Sequence, residues 1–281
     1  MTFMGTQVVS RTTAQLRRAA RFVRNLVRRP VLRYVEVHLA DHCNLNCKGC
    51  GHFCPIASER FVDLEQFSAD LYRLSQLFRK IETIRLMGGE PLLHPGVTEA
   101  LVVSRKFLPC TDIRLVTNGI LLPKMGERFW RACKDNGVTI DLTKYPVSLD
   151  VAKIQRLAAE RGVRIDVYEC NQFIAAHNLK GDSNPRAAMN KCRAILYCPF
   201  LQEGMLYPCG LPALVHYFNK RFNTAIPADG AINIHDGRMT GRRILSLLDR
   251  PVPACRYCTA GEYVTFDWAV SRREISEWVA Q

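Results

Sequence analysis

The sequence contains no run of about 18 apolar residues, so no transmembrane helix is expected. Met1–Ser10 lack a long apolar region and a clear cleavage site, which argues against a secretory signal. Low-complexity stretches are few and no internal repeat is visible. With 48% hydrophobic residues, this indicates a globular chain with a core. Without an export signal, the twelve cysteines do not read as disulfides. They point instead to a reducing, cytoplasmic compartment and to thiolate–metal chemistry. The length, 281 residues, suffices for one large domain, or for one domain with a smaller appendage.

Acids are missing from residues 11–33, which carry eight arginines (11, 17, 18, 21, 24, 28, 29 and 33) out of a net charge of +13. Leu16, Ala20, Val23 and Val27 fall on one helical face. Residues 1–30 are therefore expected as a basic amphipathic helix, read first as a solvated helix docked on the domain. A sharper reading has residues 11–33 touching an anionic membrane surface or an acidic partner; an organellar transit peptide ranks last. The basic residues lack interleaved aromatic stackers, so nucleic acid is not the expected partner.

From Tyr34 to Tyr168 strands and helices alternate five times at short spacing. Strands are expected at Tyr34–Ala40, Ile81–Met87, Asp112–Thr117, Val138–Leu142 and Arg164–Tyr168. Between them fall helices, the first from an Asp63 N-cap to Lys80, the next at Pro95–Phe107, Lys124–Asp135 and Leu149–Arg161. This order argues for an α/β fold with parallel strands and crossover helices, its functional residues at the carboxyl ends of the strands. Residues 171–190 read as loop, followed by a hairpin of Leu196–Gln202 and Met205–Tyr207 turning at Glu203–Gly204.

The most informative stretch is residues 41–54, Asp-His-Cys-Asn-Leu-Asn-Cys-Lys-Gly-Cys-Gly-His-Phe-Cys. Cys43, Cys47 and Cys50 at this spacing suit three corners of a cubane iron–sulfur cluster with one iron left open. Zinc knuckles usually pair Cys-x2-Cys motifs and close four ligands, which this spacing does not match. About forty residues on, a strand ends in Gly88-Gly89-Glu90-Pro91. The cysteine triplet followed by this segment resembles the radical S-adenosylmethionine (radical SAM) superfamily. That resemblance implies a partial (β/α)6 barrel open on one side. It also implies a [4Fe–4S] cluster on Cys43, Cys47 and Cys50, whose open iron binds S-adenosylmethionine and yields a 5′-deoxyadenosyl radical.

Gly88, Gly89 and Glu90 are then expected at the methionine amino group, with Glu90 accepting from it. Thr117 and Asn118 are expected at the ribose hydroxyls or the carboxylate. The residue before the third cysteine, usually an aromatic that packs on adenine, is here Gly49, with Phe53 or His52 as substitutes.

The late cysteines resemble the twitch (shortened SPASM) extension of this superfamily, which implies an auxiliary [4Fe–4S] cluster on Cys192, Cys209, Cys255 and Cys258. A zinc knuckle is the competing reading. Cys198 is surplus: an alternative ligand to Cys192, a buried thiol, or a catalytic hydrogen donor, a role for which Cys54 is the second candidate. Cys110, Cys133 and Cys170 are expected as small buried hydrophobes. The domain division is 1–30 basic helix, 31–190 radical SAM partial barrel, 191–265 auxiliary-cluster unit, and 266–281 a tail or helix.

A single auxiliary cluster resembles radical SAM dehydrogenases and epimerases of aminocyclitols and sugars. The expectation is an enzyme acting on a small carbohydrate-like substrate. The excess positive charge suits an anionic one, such as a nucleotide-linked sugar. A flavodoxin- or ferredoxin-type protein would be the reductant. The alternatives are a peptide-modifying radical SAM enzyme and a non-catalytic iron–sulfur module for electron transfer or regulation.

Overall fold

The computed structural model describes residues 29–195, 197–259 and 264–280. The basic helix expected over 1–30, apart from Arg29 and Pro30, lies outside them. No helix among the described residues is long and apolar enough to cross a membrane.

Among the described residues, ten strands and seven α-helices follow one another. They are β1 (Val31–Ala40), α1 (Leu64–Leu77), β2 (Lys80–Gly88), α2 (Val97–Phe107), β3 (Asp112–Thr117), α3 (Glu127–Asp135), β4 (Val138–Lys144), α4 (Val151–Glu160) and β5 (Ile165–Glu169). Beyond them come β6 (Gln172–Ala175), α5 (Pro185–Ile195), β7 (Phe200–Gln202), β8 (Met205–Tyr207), α6 (Gly210–Phe222), β9 (Ile232–Asn233), α7 (Gly241–Leu248) and β10 (Val264–Asp267). One sheet runs β5-β4-β3-β2-β1-β7-β8-β9. Its strands from β5 to β7 are parallel, and β8 and β9 add antiparallel at the β7 edge. The result is an α/β fold with a mostly parallel sheet.

Alternation along the strands explains the layers. On one face Val35, Val37, Leu39, Ile84, Leu86, Ile113, Leu115, Ile140 and Leu142 pack with Phe67, Leu71 and Leu74 of α1 and Leu101 of α2. The opposite face is charged. Glu36, Arg85 and Arg114 stand in cross-strand register, as do Asp141 and Asp166. Arg114 reaches Asp141 at 2.7 Å and Asp166 at 3.1 Å, and Arg85 reaches Asp141 at 3.2 Å. Helix α1 starts as its sequence dictates, with the Asp63 carboxylate accepting from the Gln66 N–H at 2.7 Å.

Two expectations need correction. Residues 171–190 are not all loop. Gln172–Ala175 pairs antiparallel with Val264–Asp267, a partner some ninety residues away that no local signal announces. Asn184-Pro185, read as a loop signal, is a helix start: the Asn184 side chain accepts from the backbone N–H groups of Arg186 and Ala187, both at 3.0 Å, and proline opens α5. The hairpin turns at Glu203–Gly204 as expected, but its first strand begins at Phe200.

A second core gathers Phe53, Phe200, Leu214, Phe218 and Trp278. It binds the cysteine loop to α6 and to the C-terminal segment. That segment also clamps the loop through its backbone, with Lys48 N–H donating to the Ala269 carbonyl and Ser271 N–H to the Asn46 carbonyl, both at 2.8 Å.

Candidate functional site

Three strand ends meet over the sheet. The loop after β1, the end of β2 and the end of β3 bring Cys43, Cys47, Cys50, His52, Cys54, Gly88, Gly89, Thr117 and Asn118 around one cavity of about 230 Å³. Each cysteine is held by a donor from elsewhere. Leu45 N–H donates to the Cys43 sulfur at 3.3 Å, and the Asn118 amide reaches it at 3.6 Å while donating to Asn44 Oδ1 at 2.7 Å. The Trp268 indole N–H donates to the Cys47 sulfur at 3.2 Å, and the Trp278 indole N–H to the Cys50 carbonyl at 2.8 Å. Asn118 thus pins the cysteine loop to β3.

Burial pushes the Cys43 thiol up to about 12 and the Cys47 thiol up to about 11. Cys50 goes the other way, below the ordinary thiol range, because of its hydrogen bond with the Cys54 thiol. The same bond, with burial, holds Cys54 far above the ordinary thiol range.

The glycines of the β2 end are required by the chain itself. A Cβ on Gly88, at φ +148°, would sit 2.0 Å from the Ala40 carbonyl oxygen, and one on Gly89 would sit 2.1 Å from that of His42. The close approach serves the backbone of the cysteine loop, which takes hydrogen bonds from Gly89 and Glu90 N–H groups at 2.8 and 3.0 Å.

Glu90, expected at the methionine amino group, is buried. It does not line the cavity and is 0% exposed. Its carboxylate accepts from the Thr117 hydroxyl at 2.7 Å, Asn118 N–H at 2.9 Å and Leu92 N–H at 3.1 Å. Its task is to lock the end of β3, and burial lifts it to about 7.

Phe53 does not line the cavity either. It is fully buried in the second core, between Phe218 at 5.4 Å and His177 at 5.6 Å. Of the two proposed substitutes, His52 lines the cavity. Gly49 is glycine because it sits at φ +63° and a Cβ there would lie 2.5 Å from Phe266 of β10. The aromatic surface comes from elsewhere: Tyr145 and Phe173, stacked with centroids 6.0 Å apart, both face the cavity. Tyr145 just follows β4, so the strand-end rule applied one strand further would have flagged it; Phe173 gave no such signal.

A buried polar chain leads away from His52. His52 Nδ1 meets His38 Nε2 at 3.0 Å, and His38 Nδ1 meets Asp41 at 2.8 Å. Asp41 also accepts from Arg60 at 2.9 Å and from the Tyr217 hydroxyl at 2.8 Å. Burial pushes His38 down to about 4, so it is a neutral link in this chain.

A second cavity, of about 120 Å³, is bordered by Cys192, Cys209, Cys255 and Cys258, with His177, Met189, Arg193 and Leu211. Three separate segments supply these cysteines. Cys198 lines neither cavity. It stands near Glu36 and Cys192, and burial raises its thiol to about 12. Of the two candidate hydrogen donors, Cys54 is the thiol that borders the first cavity. Of the other cysteines, Cys133 is buried as expected, whereas Cys170 is half-buried and Cys110 exposed.

Both cysteine groups border an open space rather than a point. Among the described residues, no three His, Cys, Asp or Glu side chains surround a single-ion site. Thiols spread around a cavity, with N–H donors aimed at two of the sulfurs of the first group, fit a multi-iron cluster.

Comparison with known proteins agrees with this geometry. Residues 37–170 match the Radical SAM superfamily. The chain is 29% identical over 126 residues to the GTP 3′,8-cyclase of Petrotoga mobilis, covering 42% of this chain and 34% of that one. It is 30% identical over 122 residues to that of Alkaliphilus oremlandii, covering 42% and 35%. It thus spans about a third of the length of these curated relatives. Two solved structures share the fold. BtrN in complex with AdoMet and 2-DOIA has TM-score 0.50 and 13% identity over 90% of this chain and all of that one. Native anSMEcpe with bound AdoMet has TM-score 0.51 and 15% identity over 83% and 84%. The Cys43–Cys50 loop and the ends of β2 and β3 lie within residues 37–170, the stretch, just under half of the chain, that matches the Radical SAM superfamily.

Proposed function

We propose that the protein is a radical SAM enzyme with two [4Fe–4S] clusters, acting on a small carbohydrate-like substrate. The observation that carries this reading is the shared cavity of Cys43, Cys47, Cys50, Gly88, Gly89, Thr117 and Asn118. When bound, the cluster and S-adenosylmethionine supply a 5′-deoxyadenosyl radical that abstracts a hydrogen atom from substrate. The chain's own residues would do the rest. Cys43, Cys47 and Cys50 hold the catalytic cluster, and the ends of β2 and β3 hold the methionine part of S-adenosylmethionine. Tyr145, Phe173 and His52 shape the remaining wall. Cys54 is the thiol placed to return a hydrogen atom, as epimerisation requires. The six parallel strands correspond in this reading to the open partial barrel, and residues 191–265 to a twitch-like unit whose Cys192, Cys209, Cys255 and Cys258 hold the auxiliary cluster.

The relatives named GTP 3′,8-cyclase support a second reading, cyclisation of a purine nucleotide. The excess of Lys and Arg, 39 against 26 Asp and Glu, suits either a nucleotide or a nucleotide-linked sugar. The test is anaerobic reconstitution, reduction with dithionite and addition of S-adenosylmethionine. The spectrum of the catalytic cluster should change on addition, and 5′-deoxyadenosine should accumulate. No change and no 5′-deoxyadenosine would remove the enzymatic reading. Faster 5′-deoxyadenosine formation with GTP than with nucleotide-linked sugars would favour cyclisation.

A further inference from the structure

The second cavity holds two polar groups that no group among the described residues satisfies. Both residues line it, and each has one buried nitrogen with no hydrogen-bond partner: His177 Nδ1 and Arg193 Nη1. Such atoms cost stability unless something accepts from them. The first cavity has donors of this kind already in place on its thiols, whereas here the donors wait without an acceptor.

Neither group is free to turn away. His177 is 6% exposed, with its ring wedged between Phe53 at 5.6 Å and Phe218 at 6.1 Å. Its backbone is clamped on both sides: His177 N–H donates to the Trp278 carbonyl at 3.0 Å, and Ala280 N–H donates to the His177 carbonyl at 2.9 Å. It also forms a β-bridge with Cys258. Arg193 donates through Nη2 to the Leu248 carbonyl at 2.6 Å, and its guanidinium stacks on Tyr197 at 4.6 Å. The two come from different elements, the segment after β6 and helix α5, and converge on the four cysteines.

We propose that His177 and Arg193 donate N–H···S hydrogen bonds into the four-cysteine cavity and so raise the reduction potential of the cluster it holds. This rests on the reading of that cavity as an iron–sulfur site. Reduction adds negative charge to a cluster already made anionic by four thiolates. Donors aimed at its sulfurs, and a guanidinium charge beside it, stabilise the reduced form more than the oxidised one. The pair thereby makes this cluster the better resting place for an electron.

The test uses the full chain with Cys43, Cys47 and Cys50 all replaced by alanine, so that only the second cluster can form. After anaerobic reconstitution it should hold about four irons per chain. The midpoint potential is then read by a redox titration followed by electron paramagnetic resonance. His177→Leu should shift the midpoint to more negative values. His177→Asn, whose amide N–H can take the place of Nδ1–H, should bring it back toward the parent. Arg193→Met should also shift it downward, and the double variant His177→Leu, Arg193→Met further still. Unchanged midpoints in His177→Leu and Arg193→Met, with the iron retained, would overturn the proposal. So would a shift in His177→Leu that His177→Asn does not recover, because that pattern belongs to altered packing. Absence of iron from the parent background would overturn the cluster reading itself, and the iron assay shows this before any potential is measured.

Discussion

The two cysteine cavities differ in how the chain builds them. The first takes three cysteines from eight consecutive residues, 43–50, and completes its wall with the ends of parallel strands. The second takes Cys192, Cys209, Cys255 and Cys258 from a span of 67 residues and relies on helix α5, the β8–α6 junction and the segment after α7 to bring them together. A site made by one loop on a sheet rim needs little beyond local chain geometry. A site made by three distant segments exists only when the whole C-terminal half is packed. The first should therefore be the more robust to distant substitution, and each should be removable without the other.

The largest effects test that independence. Cys47→Ala removes a ligand of the first site. It should lower the iron content from about eight to about four per chain and abolish 5′-deoxyadenosine formation, as read by iron assay and chromatography. Cys255→Ala should also remove about four irons, yet leave S-adenosylmethionine cleavage measurable. Cys198→Ala should leave the iron content near that of the parent. If Cys255→Ala emptied both sites, the two would be one folding unit and the contrast would fail.

Next in size is the pH dependence of the apoprotein. Burial pushes His38, beside the first cavity, and His177, beside the second, down to about 4. In the unfolded chain both titrate near 6.5. Between those values the unfolded state takes up protons that the folded state does not, so stability is lost as the pH falls from about 6.5 to about 4. Each residue contributes at most about 3 kcal/mol to this loss. Chemical denaturation at several pH values should show the slope, and His177→Asn should remove part of it. An unchanged slope in His177→Asn would mean that the second cavity's histidine is not held neutral by burial.

The same contrast governs what could be read from the sequence. Cys43, Cys47, Cys50, Gly88, Gly89, Thr117 and Asn118 were legible because parallel strands deliver their carboxyl ends to one rim, and spacing along the chain becomes position on that rim. The mostly parallel sheet was legible for the same reason, through five alternations of strand and helix. Glu90 and Phe53, expected at the same site, do not line the cavity, because residue type says nothing about which way a loop side chain turns. One is buried under the β3 end and the other in an aromatic core with Trp278. Trp268 on Cys47 joins residues 221 positions apart, and the β6–β10 pair ninety, separations over which no periodicity extends. The Asn184-Pro185 helix start was a local signal given too little weight against its loop-like neighbours.

A smaller effect probes the clamp on the first loop. Gly49→Ala places a Cβ at φ +63° and 2.5 Å from Phe266. The backbone conformation alone costs about 1–2 kcal/mol, and the contact with β10 adds to it. The melting temperature should fall, and iron retention by the first site should weaken while that of the second holds. Phe266→Ala in the Gly49→Ala background should relieve the ring contact and leave the conformational part together with the contact with the Glu277 carbonyl, 2.7 Å from that Cβ.

The smallest expected change is the most selective. The Trp268 indole N–H is a single donor on the Cys47 sulfur at 3.2 Å, and a hydrogen bond of this kind is worth about 1 kcal/mol net. Trp268→Phe keeps most of the ring and removes the donor. Fold and iron content should stay with the parent, but the potential of the first cluster should move to more negative values, because its thiolate loses a bond that strengthens on reduction. The second cluster, whose cavity is bordered by His177 and Arg193 and not by Trp268, should not respond. A shift of the second potential alone, or of both equally, would mean that the C-terminal segment couples the two sites through Trp278 and Phe53 rather than serving each separately.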